Sequence, residues 1–317
     1  MRIALTGATG FIGKVLLPEL LAAGHPVRAL RRIDGATVTG EYAAPEAGAT
    51  VDNNGTEWIT GTLPDPALCQ ALCQDREAVI HAAGLAHTGA AAAQLREQNL
   101  LVSVQLARAA RAQGVRHFVF VSSSKARYPA HSAYAAAKAE AERELLALQT
   151  PTFRVLCLRP SLVYGPGMRG NLGGLLRLLA RPGLPFRVAS AQPLGLIGVR
   201  DLARALQAGL FCAALPSGRY ELSDGASYTL DDIVYHVRRQ LQLPQPRWVL
   251  PRPVLKGVAW LSSLLAPVTR LSFSMSTYRT LFQEAYQPNP DFSRLTGFQA
   301  RDTFYTALPA LLTGARA

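Results

Sequence analysis

Lysine is nearly missing from this chain. Of its 33 Lys and Arg residues only Lys14, Lys125, Lys138 and Lys256 are lysines, so a Lys inside a motif stands out against an Arg background. Cysteine is as sparse. Cys69, Cys73, Cys157 and Cys212 are too few and too scattered for a disulfide framework. Cys69 and Cys73 are four apart with no His or Cys pair after them, which argues against a zinc site and for reduced, mostly buried thiols. No apolar run is long and clean enough to span a bilayer: the stretch 253–273 is interrupted by Pro267 and carries Lys256 and Arg270. Acidic residues are in the minority, 21 against 33 basic, for a net charge of +12. The arginines are spread along the chain without a basic run or interleaved aromatics, so no nucleic-acid partner is expected and an anionic small molecule accounts for the charge. What remains, 317 residues with 49% hydrophobic and 17% charged, describes a soluble globular protein of one large or two modest domains. Met1 leads straight into the first predicted strand, from which the expected location is cytoplasmic.

That first strand, Ile3 to Leu5, runs into Gly7, Gly10 and Gly13 and then an apolar-periodic helix predicted over Phe11 to Ala23. Strand, glycine turn and helix together make a phosphate cradle. Glycines let the backbone approach a pyrophosphate, and the helix start offers unpaired N–H groups and the favourable end of its dipole. The second strand, His25 to Leu30, ends in Arg31 and Arg32. An acidic residue at this strand end holds the ribose hydroxyls of NAD, whereas Arg accommodates the extra phosphate of NADP, so Arg31 and Arg32 favour NADP over NAD. Residues 34–57 carry no readable motif and are expected to form a surface excursion.

Strands follow at 57–59, 78–81 and 117–121, with helices over 66–73 and 95–113, the latter containing Asn99. The strand at 78–81 ends in Ala82-Ala83-Gly84, small residues where a parallel sheet receives its ligand. The strand at 117–121 delivers Ser122, Ser123 and Ser124 to the same edge. Ten residues beyond Ser124 comes Tyr134, and Lys138 lies one helical turn further, within a helix over 133–148. At that spacing an ammonium can sit beside the phenol and lower its pKa, making Tyr134 a general acid or base, with a serine hydroxyl to hold the reacting oxygen.

These residues resemble the short-chain dehydrogenase/reductase superfamily, in its extended branch of NAD(P)-dependent epimerases, dehydratases and reductases. The resemblance rests on TGATGFIG (6–13), VIHAAG (79–84), VSSSK (121–125), YAAAK (134–138) and LRPSLVYGPG (158–167), in that order. It implies an α/β fold: a doubly wound parallel Rossmann sheet over 1–165, rejoined by about 195–215, with a smaller substrate domain over 166–317. It implies Ser124, Tyr134 and Lys138 as catalytic residues, with Tyr134 and Lys138 also binding the cofactor and Ser124 the substrate. Gly7, Gly10, Phe11 and Ile12 would line the pyrophosphate, Ala82, Ala83 and Gly84 the middle of the cofactor, and Asn99 would be the family's helix Asn. Many members have an Asp after the glycine that follows the third strand; here Gly61 is followed by Thr62.

In the second half, Asn171 opens a helix similar to the segment that meets substrate phosphates in nucleotide-sugar epimerases, and it reads equally as a helix cap. The segment 196–201 resembles the return to the first domain. About five residues before its Val199, sugar-nucleotide epimerases commonly place an Arg that clamps the diphosphate, and this chain has Leu194. Thr229 and Asp232 form a predicted capping box. The apolar segment 253–273 reads as a core or lid helix or, alternatively, as an interfacial helix in peripheral contact with a membrane. The resemblance also implies a homodimer built on the helices at 95–113 and 133–148. The expected activity is hydride transfer at a carbinol or keto carbon, foremost of a nucleotide sugar as a 4-epimerase or 4-keto reductase. An NADPH-dependent reductase of a non-nucleotide ketone or aldehyde is the alternative, and a non-catalytic dinucleotide sensor is the reading from another class.

Overall fold

The computed structural model describes residues 1–32, 50–85, 90–168, 171–183, 186–187, 190, 192–264, 275–282, 286 and 290–313. The first half alternates strands and helices: β1 (Ile3–Thr6), α1 (Gly13–Ala22), β2 (Val27–Arg31), β3 (Thr50–Val51), β4 (Glu57–Thr60), α2 (Pro66–Cys73) and β5 (Ala78–His81). Next come α3 (Ala92–Arg96), a π-helical turn over Glu97–Leu101, α4 (Val102–Ala112), β6 (His117–Val121), α5 (Ala133–Ala147), β7 (Arg154–Pro160) and β8 (Leu162–Tyr164). The second half contains α6 (Asn171–Leu179), β9 (Phe186–Arg187), β10 (Leu196–Gly198), α7 (Val199–Phe211), β11 (Gly218–Leu222), α8 (Leu230–Gln240) and β12 (Trp248–Val249). It closes with α9 (Arg252–Leu264), α10 (Met275–Phe282), α11 (Pro290–Thr296) and α12 (Phe304–Thr313).

Among the described residues the main sheet has eight strands in the order β11-β7-β6-β5-β1-β2-β4-β3, all parallel except β3, which runs antiparallel to β4. This is the doubly wound order, reversing direction between β1 and β5. Alternation along the strands divides the core between the two faces. Ile3 and Leu5 of β1 and Val119 and Val121 of β6 pack with Leu16 and Leu20 of α1, and Leu202 and Leu206 of α7. Ala4, Phe118 and Phe120 point the other way, onto Leu68 and Leu72 of α2, Leu106 of α4 and Leu145 of α5. Both faces are covered, which is why the strands read as continuous apolar runs. Local chemistry starts the helices where they start. Asp65 accepts from the Leu68 N–H at 2.9 Å with Pro66 as the first helical residue of α2, and Ser132 accepts from the Ala135 N–H at 3.1 Å to open α5.

Several elements differ from the sequence expectation. Helix α1 begins at Gly13 rather than Phe11, because residues 7–12 are taken up by a turn closed by the Gly10 N–H on the Gly7 carbonyl. The chain also returns to the sheet through β11, and Phe292 of α11 joins the core on the same face as α7. β11 carries no local motif; its place is set by parallel pairing with β7, as in Gly218 opposite Leu156, and α11 packs against β11 and α7. Beside the sheet, β8 pairs with β10 and β9 with β12. A separate cluster there joins Tyr164, Leu172, Leu194, Tyr228, Ile233 and Phe304. The expected capping box at Thr229 and Asp232 forms at the start of α8. Most of the excursion expected over 34–57 and the second half of the apolar segment 253–273 lie outside the described residues. Among the described residues no helix is long and apolar enough to cross a membrane, and no group of His, Cys, Asp and Glu is arranged to hold a metal ion.

Candidate active site

A cleft of about 650 Å³ runs along the C-terminal edge of the sheet, across the point where the strand order reverses. At its centre the backbones of β1 and β5 nearly touch. Gly7 has φ +74°, and a Cβ there would lie 2.7 Å from both the Ala82 carbonyl carbon and the Ala83 nitrogen. No side chain fits, and L-residues resist that φ. A Cβ on Gly13 would collide with the Gly7 carbonyl, so helix α1 seats against the turn only through glycine. Gly10, Phe11 and Ile12 continue the wall, and no side chain caps the start of α1. Ala82, Ala83 and Gly84 form the opposite side.

A buried polar seam underlies this wall. Ser103 Oγ donates to the Asn99 carbonyl at 2.9 Å, which leaves it to accept from His81 Nε2 at 3.0 Å. His81 Nδ1 then accepts from the Thr6 hydroxyl at 2.6 Å, and Thr6 accepts from the Ala83 N–H at 3.3 Å. One tautomer satisfies every group: neutral His81 with its proton on Nε2. Burial, reinforced by the Lys138 charge, holds the His81 pKa down to about 3. The seam ties β1, β5 and the helix carrying Asn99 to the cradle loop.

Asn99 sits in the π-helical turn, fully buried. Its Nδ2 donates to the Leu85 carbonyl at 3.1 Å, while its Oδ1 is buried and has no hydrogen-bond partner among the described residues. A Cβ on Gly84 would stand 2.6 Å from that oxygen and 3.5 Å from Lys138 Nζ, so Gly84, Asn99 and Lys138 converge on one spot. A glycine-lined cradle with an orphaned amide oxygen at its rim fits an extended dinucleotide.

The three serines after β6 divide their work. Ser122 donates to Glu142 at 2.5 Å, inside a buried cluster in which Glu142 also accepts from Arg159 and Arg219. Ser123 caps the short turn that follows and hydrogen-bonds Tyr134. Ser124 lines the cleft, as do Tyr134 and Lys138. Lys138 Nζ donates to the Val121 carbonyl at 3.0 Å and lies 4.4 Å over the Phe120 ring. Burial lowers its pKa to about 8 against the pull of Glu142 one turn further on. The sequence reading expects a lowered pKa for the Tyr134 phenol. In the structure burial raises it, the hydrogen bond with Ser123 opposing in part.

Of the two arginines at the end of β2, Arg32 lines the cleft, whereas the Arg31 guanidinium stacks 4.5 Å over Trp58. Thr62 lines the cleft where the resemblance leads to an Asp. Asn171 opens α6, but its side chain lies outside the described residues. The far end of the cleft carries a group of apolar side chains. Leu162, Val163, Leu172 and Leu194 line it together with Tyr286; Leu194 is 4% exposed and pinned by backbone hydrogen bonds with Tyr228. Glu221 also faces the cleft, accepting from Arg127 and Arg159. Sequence reasoning missed Glu221 and Tyr286, which no motif marks.

The family model described as "NAD dependent epimerase/dehydratase family" matches residues 3–206. The chain belongs to that family. This epimerase-family chain is 25% identical over 276 residues to UDP-glucose 4-epimerase of Vibrio cholerae, covering 80% of this chain and 79% of that protein. It is 34% identical over 256 residues to ceramide reductase of Caulobacter vibrioides, 77% and 74% of the two chains. A solved structure of MoeE5 in complex with UDP-glucose and NAD has the same fold, with a TM-score of 0.71 at 20% identity over 100% of this chain and 99% of that one. The family member described here is accordingly an NAD(P)-dependent enzyme of extended short-chain dehydrogenase/reductase type.

Proposed function

We propose that the chain transfers hydride reversibly at a carbinol or keto carbon, with Ser124, Tyr134 and Lys138 as its catalytic residues. The observation that carries this is the meeting of Tyr134, Lys138 and the serine turn in the same cleft as the glycine cradle. Gly7, Gly10, Phe11, Ile12, Ala82, Ala83, Gly84 and Asn99 would hold the dinucleotide, which when bound would supply or accept the hydride. Tyr134, kept protonated by burial, donates its proton to the carbonyl oxygen in the reductive direction and takes it back in the oxidative one. Ser124 holds that oxygen. Lys138, which lines the same cleft, would bring positive charge toward the phenol and the bound cofactor. Arg32, in the cleft, supports a preference for NADP; Arg31, stacked on Trp58, adds no support.

A nucleotide sugar is the substrate class supported by the Vibrio relative and, for the fold, by the MoeE5 complex. Asn171 at the start of α6 stays proposed as a contact for its phosphates. One observation favours the second class, a ketone with apolar arms: Leu194 and its apolar neighbours form the far wall where a diphosphate would want Arg, and the 34% identical relative is a reductase named for a lipid. A 166–317 substrate domain, a cytoplasmic location and a homodimer through α4 and α5 remain part of this proposal.

The test is to release and identify the dinucleotide from purified protein, titrate stripped protein with NADPH and NADH, and assay UDP-hexoses beside long-chain 3-keto compounds. Tightly held NAD with hexose epimerisation supports the first class; exchangeable NADPH with ketone reduction supports the second. Absence of dinucleotide binding would end both.

A further inference from the structure

We infer that α9 and the neighbouring strand β12 form a docking surface for an anionic phospholipid bilayer. This goes beyond the hydride-transfer reading and holds for either substrate class. Among the described side chains of α9, Leu255 and Ala259 are the buried ones, against Tyr278 of α10. Val254, Val258, Trp260 and Leu261 are left 50%, 49%, 62% and 51% exposed. Just before the helix, Trp248 and Val249 of β12 are 66% and 46% exposed, beside Phe186 of β9 at 44%. Single exposed apolar residues need no explanation, but seven on adjoining elements, two of them tryptophans, do.

Charge selects the occupant. Between Asp232 and Glu284 the sequence contains no acidic residue at all. Exposed Arg247, Arg252 and Lys256 lie among the apolar side chains, and Asp231, which with Asp232 precedes this stretch, is paired with Arg187. A face of Trp, Val and Leu set among basic residues and free of acids matches the interfacial zone of an anionic leaflet: apolar side chains enter the acyl boundary, tryptophans sit at headgroup level, and arginines meet phosphate. The surface also communicates with the cleft. Arg279 of α10, the helix on which α9 packs, donates to the His131 carbonyl at 2.8 Å, and His131 stacks on Tyr128, which lines the cleft. These contacts join the docking surface to the wall of the cleft.

The chain's tryptophans provide the readout. Trp248 and Trp260 lie on the proposed surface, and the third, Trp58, is buried beneath Arg31. The whole protein is mixed with vesicles of phosphatidylcholine containing 30% phosphatidylglycerol, and with vesicles of phosphatidylcholine alone. The expected result is flotation with the anionic vesicles at least tenfold above the neutral ones, reduced by 0.5 M NaCl, with a blue shift of tryptophan emission and quenching by brominated acyl chains. Val258→Glu with Leu261→Glu should lower flotation about tenfold while leaving dinucleotide affinity unchanged, which reports that the fold is intact. Equal flotation with both vesicle types, no flotation, or flotation without emission change would overturn the proposal. So would a concentration-dependent dimer that buries the two tryptophans, which would assign the surface to a second copy of the chain.

Discussion

At the dinucleotide end the cleft is walled largely by glycine and alanine backbone; at the other end the wall is made of side chains, Leu, Val and Tyr beside the Glu221 carboxylate. The first end is specified by what must be absent, a Cβ at Gly7 above all, and a buried polar seam through Thr6, His81 and Ser103 holds it in place. The second end is specified by what is present, and its shape changes with each side chain. A backbone cradle serves one constant ligand, whereas a side-chain wall can be altered to suit many. Tyr134 stands between them, so its loss should cripple the chemistry without disturbing either end. Tyr134→Phe is expected to lower turnover by about 10³-fold with dinucleotide affinity within about twofold, measured by single-turnover hydride transfer and by titration; a fully active variant would remove Tyr134 from the mechanism.

The contrast sharpens with one substitution at each end. Gly7→Val puts a branched side chain into the Ala82–Ala83 backbone at a φ of +74°. It should cost at least about tenfold to a hundredfold in dinucleotide affinity, from the strain of that backbone alone. Leu194→Ala removes apolar wall from the far end and should leave dinucleotide affinity as it is. If the substrate has apolar arms, its KM should rise roughly tenfold; if it is a nucleotide sugar, KM should barely move, because Leu194 offers nothing to a diphosphate. Steady-state kinetics with both substrate types separates the two.

Much of the cradle was legible in the sequence because its chemistry is local. Glycine spacing, Ala82-Ala83-Gly84 and the Tyr134 to Lys138 interval each act within a turn or a strand end, and the structure brings them to one cleft. The burial of the Tyr134 phenol was not legible, since it depends on what packs over it, and neither was the division of labour among Ser122, Ser123 and Ser124, which Glu142 decides from another helix. Arg31 and Arg32 look equivalent in sequence and part company only because Trp58 lies beneath one of them. At the substrate end, Leu194 was visible as a departure, but Glu221 and Tyr286 arrive through β11 and the chain beyond α10, long-range placements that no spacing announces.

The polar seam beneath the cradle supplies the smallest effect. His81 is neutral in the folded protein, its pKa lowered from 6.5 to about 3, whereas in the unfolded chain it titrates normally. The stability it contributes is therefore fully present above pH 6.5, and as pH falls the unfolded state gains a proton that the folded state refuses until about pH 3. Between pH 7 and pH 5 that linkage removes about 2 kcal/mol of stability. Other groups titrate in the same range, so the comparison is with His81→Asn, which keeps a donor and an acceptor in the seam but has no proton to gain. Urea unfolding of the two proteins at pH 7 and pH 5 should show the wild-type chain losing about 2 kcal/mol more than the variant. Equal losses would mean that His81 is not held neutral. The far end of the cleft would then differ from the cradle in its side chains alone, and not in the titrating group buried beneath it.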